Sequence, residues 1–230
     1  MTTKTALIIG ASRGLGLGLA REYISRGWHV VGTVRGTAGT ALHELAHEHP
    51  AKVAIETVDI NLPGQVTALR ERLSGRQFDL LFVNAGVSND RGETIAATTY
   101  ETFMRLMVTN ALSPMRVVER FESLVPATGM IGLMSSGLGS VANNETGGWE
   151  VYRASKASLN TLMRSFAARH AGDPRTLLLI APGWVRTDMG GPSGLLDVDT
   201  SIRGVVDAMT ARAGKAGLHY VNYEGKTVPW

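Results

Sequence analysis

The chain has 230 residues, of which 44% are hydrophobic and 19% are charged, a composition typical of a folded globular protein and not of a disordered one. The absence of cysteine excludes disulfide frameworks, cysteine-ligated metal centres and thiol catalysis. The net charge is +3 and the basic residues are interspersed with acids, which argues against a nucleic-acid-binding surface.

The pattern of apolar residues indicates neither a secretion signal nor a membrane span. The apolar run at 5–9 is too short and too early for a signal peptide. The longest charge-free stretch, 123–144, is interrupted by Pro126 and several glycines, which are unfavourable in a membrane helix. We therefore expect a cytoplasmic protein with no membrane partner.

Short apolar runs rich in Val, Ile and Leu alternate with longer amphipathic segments. The short runs predict strands at 6–9, 28–34, 52–58, 78–83, 130–134, 176–180 and 218–222. The longer segments predict helices at 14–26, 38–48, 65–73, 99–124, 152–170 and 201–213. Because the runs are apolar throughout, helices are expected on both faces of the sheet. The pattern predicts an α/β fold over residues 1–230: one doubly wound domain with a mainly parallel seven-stranded sheet.

A glycine-rich turn joins the first predicted strand to the first predicted helix. Glycines there let the backbone approach a pyrophosphate closely, and the helix N-terminus attracts its negative charge. The spacing alone arises readily by chance in a chain with 27 glycines, but its position favours nucleotide binding over a plain tight turn. The residues expected to bind are Gly10, Ser12, Arg13, Gly14, Leu15 and Gly16.

The end of the second predicted strand discriminates between two nicotinamide cofactors. A free ribose 2′-hydroxyl would require an acid there, but the first acid after Val34 is Glu44. Arg35 is positioned to bind a 2′-phosphate, and Arg13 would add a second cation. We therefore expect NADP(H) rather than NAD(H), the alternative being that Arg35 is only a surface charge.

Three histidines on the second predicted helix and at its end, His43, His47 and His49, include the i, i+4 spacing of a metal site. The surrounding sequence supplies no convincing third ligand, and Pro50 ends the helix. We interpret them as a polar helix face and expect no bound metal.

Tyr152 and Lys156 are four residues apart and therefore lie on one face of a predicted helix. A phenol titrates near pH 10 and is a poor base at neutral pH, but an adjacent fixed cation stabilises its ionised form. The pair is a candidate acid/base centre.

Further motifs accompany this pair in a fixed order. Asn84-Ala85-Gly86 follows the fourth predicted strand, Asn110 lies in the next helix, Ser135-Ser136 ends the fifth strand, and Pro182-Gly183 follows the sixth. Together with the glycine turn, they resemble the short-chain dehydrogenase/reductase family over essentially the whole chain. The resemblance implies a Rossmann-type fold that binds a nicotinamide cofactor.

The resemblance also implies roles for individual residues. Tyr152 corresponds to the family's acid/base, and Lys156 to the lysine that holds the nicotinamide ribose and lowers the phenol pKa. Ser136 corresponds to the serine that hydrogen-bonds the substrate carbonyl. Asn110 corresponds to the asparagine that holds a water linked to the lysine.

The remaining cofactor contacts come from the same resemblance. Asp59, with Ile60 beside it, matches the family's adenine contact, and Asn84-Ala85-Gly86 matches its central sheet support. The segment from Pro182 and Gly183 through Val185 to Thr187 matches the nicotinamide-side loop, in which Thr187 would hold the carboxamide.

The serine and tyrosine are farther apart than is common in the family. Ser136 lies sixteen residues before Tyr152 rather than about twelve, and 143–149 fills the extra length. This region resembles the branch that contains sniffer-type carbonyl reductases and bacterial C-factor proteins. Ser135 and, less favourably, Ser140 stay open as alternatives for the catalytic serine.

The expected function is hydride transfer between NADP(H) and a small carbonyl/alcohol substrate, with reduction favoured. The alternative is a nucleotide-binding signalling or sensor protein on the same fold with little or no catalysis. Trp149, Trp184, Met189 and Val141 are expected either to line the cleft, favouring an apolar substrate, or to belong to the core. Family members associate through the helices at 99–124 and 152–170, so a homo-dimer or homo-tetramer is expected.

Overall fold

The computed structural model describes residues 3–230. Seven strands form one sheet: β1 Thr5–Ile9, β2 His29–Val34, β3 Val53–Thr57, β4 Leu80–Val83, β5 Met130–Met134, β6 Thr176–Ala181 and β7 Gly217–Asn222. Their order is β3-β2-β1-β4-β5-β6-β7, and every neighbouring pair is parallel. The predicted α/β fold, with a seven-stranded doubly wound sheet, is confirmed.

The helices lie on both faces of the sheet: α1 Gly14–Ser25, α2 Ala41–Glu48, α3 Pro63–Arg72, α4 Tyr100–Met107, α5 Ser113–Phe121, α6 Glu150–Arg169 and α7 Val198–Thr210. Among residues 3–230, none of them combines the length and apolar character needed to cross a membrane.

Alternate residues of each strand contribute to two separate cores. In β1, Leu7 and Ile9 pack with the cluster that includes Phe166 of α6, whereas Ile8 packs with the cluster that includes Leu19 of α1. A strand buried on both faces needs apolar residues at consecutive positions, which explains the unbroken apolar runs of the sequence.

The helix predicted at 99–124 is interrupted. A π-helical segment, Val108–Leu112, separates α4 from α5. Pro114 has no N–H to donate to the Asn110 carbonyl, as an α-helix would require, and the Asn110 side chain is bound to the backbone of Val87 on the neighbouring loop. Such π-bulges are frequent at functional sites.

The strand order reverses beside β1. The chain moves outward from β1 to β3 and then returns to the other side of β1 to form β4. The loops after β1 and β4 therefore separate at the carboxyl end of the sheet and leave a crevice. In open α/β sheets this is where ligands bind.

Candidate active site

A cleft of about 720 Å³ opens at the carboxyl ends of the strands. All the predicted site residues line it except Gly16 and Asn110. The loops that follow β1, β2, β3, β4, β5 and β6 each contribute to its walls. The structure therefore gathers residues that are widely separated in sequence into one site.

The glycine turn after β1 needs its glycines for two different reasons. Gly10 and Gly14 have φ of 86° and 55°, a region that favours glycine. A Cβ on Gly16 would lie 2.0 Å from the Gly10 carbonyl oxygen, so no side chain fits there. Asn84 Nδ2 donates to that same oxygen at 2.9 Å, so that the loop after β4 supports the turn.

Two arginines lie at this end of the cleft. Arg35 is exposed and makes no ion pair with an acid in the described part of the chain. Arg13 pairs with Asp188, Nη1 to Oδ2 at 2.6 Å, and both side chains are mostly exposed. An exposed pair of this kind contributes little to stability. The Arg13 guanidinium can therefore exchange readily between Asp188 and an anionic ligand.

Asp59 begins a hydrogen-bonded turn after β3. Its Oδ1 accepts from the Asn61 N–H at 2.9 Å, and its own N–H donates to Gln65 Oε1 at 2.7 Å. Ile60 follows, is mostly buried, and lines the cleft. The turn holds one carboxylate and one apolar side chain at the same end of the site as Arg35.

Tyr152 and Lys156 project from the first two turns of α6 into the cleft. The Lys156 ammonium is 5.9 Å from the centre of the Tyr152 ring and donates to the Met134 carbonyl oxygen at 2.8 Å. Burial lowers the pKa of Lys156 to about 8. Burial raises the pKa of Tyr152 to about 12, against a smaller lowering by the Ser136 hydroxyl.

The raised phenol pKa differs from the expectation drawn from the family. The resemblance implies that Lys156 lowers the pKa of Tyr152, whereas in this structure desolvation of the phenolate is the largest influence and raises it. The phenol is consequently protonated at neutral pH, which is the form that can donate a proton.

The three candidate serines make different contacts. The Ser135 hydroxyl donates to Asn160 Oδ1 at 2.7 Å, and Ser140 Oγ accepts from the Asn143 N–H at 3.1 Å. Ser136 Oγ accepts from the Leu138 N–H at 3.1 Å. Ser135 and Ser136 line the cleft and Ser140 does not, and of the three it is the Ser136 hydroxyl that lowers the pKa of Tyr152.

Asn110 lies behind the cleft and does not line it. Its Oδ1 accepts from the Val87 N–H and its Nδ2 donates to the Val87 carbonyl oxygen, both at 2.8 Å, while Nδ2 also donates to Ser155 at 2.9 Å. A Cβ on Gly86 would lie 3.2 Å from Asn110 Oδ1 and 3.5 Å from Lys156 Nζ. The asparagine therefore ties the loop after β4 to α6, next to the lysine.

The comparisons with known proteins agree with this geometry. A family model described as enoyl-(acyl carrier protein) reductase matches residues 10–214. A crystal structure reported as a short-chain dehydrogenase/reductase from Burkholderia multivorans with bound NADP is 57% identical, covers 100% of both chains and superposes with a TM-score of 0.98. The chain belongs to the short-chain dehydrogenase/reductase family.

Two further relatives place it near a particular branch of the family. A carbonyl reductase from Pseudomonas aeruginosa PAO1, solved in complex with NADP, is 36% identical over 100% of both chains with a TM-score of 0.92. The C-signal protein of Myxococcus xanthus is 34% identical over 157 residues, which are 66% of this chain and 92% of the relative. The resemblance to carbonyl reductases and C-factor proteins is confirmed.

The loop that follows β6 in this family member is held by hydrogen bonds within the loop and from α7. Gly183 has φ of 84°, Ser201 Oγ donates to the Pro182 carbonyl oxygen at 2.6 Å, and Thr187 Oγ1 accepts from the Gly190 N–H at 3.0 Å. Val185 forms an isolated β-bridge with Leu196. These contacts keep the segment against the cleft.

Three of the four expected apolar residues line the cleft: Trp149, Trp184 and Met189. The expectation for Val141 is wrong under both readings, because it is 71% exposed and lies outside the lining. It follows the short 3-10 turn after Ser136, which carries it outward into solvent.

Several cleft residues were not anticipated. Arg91 and Arg153 line the site near Trp149, and Tyr223 and Val228 reach it from the segment after β7. The Val228 N–H donates to the Tyr220 carbonyl oxygen at 2.9 Å, so the chain turns back along β7. No local spacing pattern marks these positions, since long-range packing alone brings them to the cleft.

The residues present fit nicotinamide adenine dinucleotide phosphate, NADP(H). The cradle beside Gly16 excludes any side chain and leaves room for backbone approach, while Arg35 supplies an uncompensated cation at the far end.

Within residues 3–230 no three His, Cys, Asp or Glu side chains gather as a metal site requires, and His43 Nδ1 accepts from the Thr40 N–H at 3.1 Å.

Proposed function

We propose that this family member is an oxidoreductase that transfers a hydride between NADP(H) and a carbonyl/alcohol substrate, acting mainly as a carbonyl reductase. The observation that carries the proposal is that Ser136, Tyr152 and Lys156 line one cleft whose other end carries the glycine turn and Arg35. NADP-bound relatives of the same fold support the choice of cofactor.

The glycine turn and the cleft ends would bind the cofactor. The turn from Gly10 to Gly16 would bind the pyrophosphate through backbone N–H groups, and Arg35 would bind the 2′-phosphate. Asp59 and Ile60 would contact the adenine, and the segment ending at Thr187 would contact the nicotinamide. Bound NADPH would supply the hydride.

Tyr152, Ser136 and Lys156 would divide the chemistry at the substrate oxygen. The protonated Tyr152 phenol would donate its proton to the oxygen as the carbonyl carbon receives the hydride. The Ser136 hydroxyl would hydrogen-bond the same oxygen and stabilise its developing charge. Lys156 would hold the ribose, and its positive charge would stabilise the phenolate until a proton from solvent restores the phenol.

Asn110 would act through position rather than by contact with substrate. Its side chain fastens the backbone of Val87 to Ser155 on α6, one residue before Lys156. We propose that it holds the lysine and the loop after β4 at a constant separation, and that any water linked to the lysine would be held there.

The decisive experiment is NADPH oxidation by the purified protein with a panel of aldehydes and ketones. An enoyl thioester belongs in the panel because the matching family model is described as an enoyl reductase. We expect carbonyl-dependent oxidation that Tyr152→Phe abolishes. Oxidation with the enoyl thioester alone would overturn the carbonyl assignment.

A second candidate is a cofactor-binding signalling protein, which the similarity to C-signal favours. A protein that only senses the nucleotide can dispense with the tyrosine and lysine, whereas this chain retains both. NADPH binding without turnover of any carbonyl in the panel would support the signalling role.

We also propose a homo-dimer or homo-tetramer, which light scattering of the purified protein tests.

A further inference from the structure

The segment before α6 has an unusual backbone. Gly147, Gly148 and Trp149 are three consecutive residues with positive φ, at 64°, 67° and 57°. Trp149 is the one non-glycine residue with positive φ among residues 3–230. An aromatic side chain in the left-handed region is strained, and such strain persists only where the surroundings impose it.

A buried arginine imposes this conformation. Arg153 is 8% exposed; its Nε donates to the Gly148 carbonyl oxygen at 2.9 Å and its Nη2 to the Gly147 carbonyl oxygen at 3.0 Å. The Trp149 N–H donates to the Arg91 carbonyl oxygen at 3.0 Å. In the described part of the chain, Arg153 forms no ion pair with an acid. Its guanidinium instead binds the two carbonyl oxygens of the turn.

The strained turn brings Trp149 against the proton donor. The two ring centres of Trp149 and Tyr152 are 6.0 Å apart with an interplanar angle of 59°, and the indole lines the cleft. Trp184 and Met189, which also line the cleft, are 42% and 44% exposed, so its substrate end has a large apolar surface. The extra residues at 143–149 thus place the Trp149 indole beside the Tyr152 phenol, where it forms an aromatic wall of the cleft.

We propose that Trp149, held by Arg153, determines substrate specificity and selects carbonyl compounds with an aromatic ring next to the carbonyl group. An indole face or edge interacts favourably with a second aromatic ring, and gains much less from a saturated ring of the same size. The proposal rests on the proposed function, because it assigns the substrate class of that same site.

The test compares benzaldehyde with cyclohexanecarbaldehyde, which share a carbon skeleton and differ in aromaticity. We expect wild type to prefer benzaldehyde in kcat/KM. Trp149→Ala should reduce that preference by at least about twofold, the lower range of an aromatic pair contribution, whereas Trp149→Phe should retain most of it. Val141→Ala, an apolar change in the same loop but outside the cleft, is the control and should leave the preference unchanged.

Arg153→Met tests whether the hydrogen bonds of the Arg153 guanidinium hold the turn at 147–149. With the guanidinium removed, the turn at 147–149 should relax and the aromatic preference should fall as in Trp149→Ala, while Trp149 is still present. Trp149→Gly provides a folding readout that is independent of activity: because glycine relieves the left-handed strain, this variant should melt at a higher temperature than Trp149→Ala.

Unreactive analogues separate this inference from the proposed function. Calorimetric binding of benzamide and cyclohexanecarboxamide to the NADP-bound protein measures the same discrimination without turnover. A benzamide preference that Trp149→Ala removes would support the aromatic wall even if every carbonyl assay failed. A preference unchanged in both Trp149→Ala and Arg153→Met, by kinetics and by binding, would overturn it.

Discussion

The Ser135 hydroxyl donates a 2.7 Å hydrogen bond to Asn160 Oδ1, whereas the Ser136 hydroxyl accepts from the Leu138 N–H at 3.1 Å and lowers the pKa of Tyr152. Asn160 is on α6, two turns after Tyr152, and its Nδ2 donates to the Gly139 carbonyl oxygen at 3.1 Å. One amide therefore anchors both ends of the serine turn. The two neighbouring hydroxyls have different surroundings and should respond differently to mutation.

Removing each hydroxyl in turn tests this difference. Ser136→Ala should lower kcat by about 10² to 10³, the usual effect of losing one donor to a developing oxyanion. Ser135→Ala should leave kcat within a few-fold of wild type. It should instead destabilise the fold by about 1–3 kcal/mol in chemical denaturation, because a buried amide oxygen loses its partner. A larger kcat loss in Ser135→Ala than in Ser136→Ala would reverse the assignment.

Tyr152→Phe should remove the proton donor and leave cofactor binding nearly intact. General acid catalysis contributes about 10² to 10⁴ in rate, so kcat for carbonyl reduction should fall by at least a hundredfold. NADPH affinity, measured by fluorescence titration, is the internal control. Retention of more than about a tenth of kcat would show that another group supplies the proton.

NADPH affinity should depend on pH through Lys156. Burial lowers the pKa of this ammonium to about 8, so it is mostly charged at pH 7 and mostly neutral at pH 9. Because the charged form is the stronger donor to the ribose hydroxyls, affinity should fall as pH rises through this range. Lys156→Met should bind NADPH more weakly and show no such fall. Wild-type affinity that is flat or rises between pH 7 and 9 would contradict the assigned role.

Arg35→Asp should shift cofactor preference toward NADH. The substitution removes a charge-assisted hydrogen bond to the 2′-phosphate and adds repulsion against it. The ratio of kcat/KM for NADPH and NADH measures the shift. Lys215→Asp, the same change of charge in an exposed turn before β7 at the opposite edge of the sheet, is the matched control. Equal ratios in wild type and Arg35→Asp would leave Arg13 as the phosphate ligand.

Gly16→Ala should disrupt the first turn, because the added methyl group would lie 2.0 Å from the Gly10 carbonyl oxygen and 2.7 Å from Asn84 Nδ2. The backbone must shift, so we expect a loss of NADPH binding together with a lower melting temperature. Gly39→Ala places a methyl group where no atom lies within 4 Å, and should behave as wild type. If Gly16→Ala binds NADPH normally, the turn does not hold the pyrophosphate.

Most of the fold was predictable because its signals are local. The predicted strands at 130–134 and 176–180 match β5 and β6 to within one residue, since unbroken apolar runs identify strands buried on both faces. The apolar periodicity predicts one continuous helix at 99–124, whereas the structure has two helices separated by a π-helical segment. The interruption has a local cause in Pro114 and a long-range one in the hydrogen bonds between Asn110 and Val87, 23 residues apart, which helical periodicity does not register.

The amino-acid sequence by itself determined the glycine turn, the Tyr152–Lys156 pair and the cation at Arg35, because each depends on spacing within one turn or one helix. Only the tertiary structure decided which serine hydroxyl is bound by Asn160, that Val228 reaches the cleft, and that Trp149 adopts a left-handed backbone. These depend on Asn160, on the chain after β7 and on the Arg153 guanidinium. Hydrogen bonds between separate elements form only when the sheet has assembled, so their outcome is absent from any local pattern.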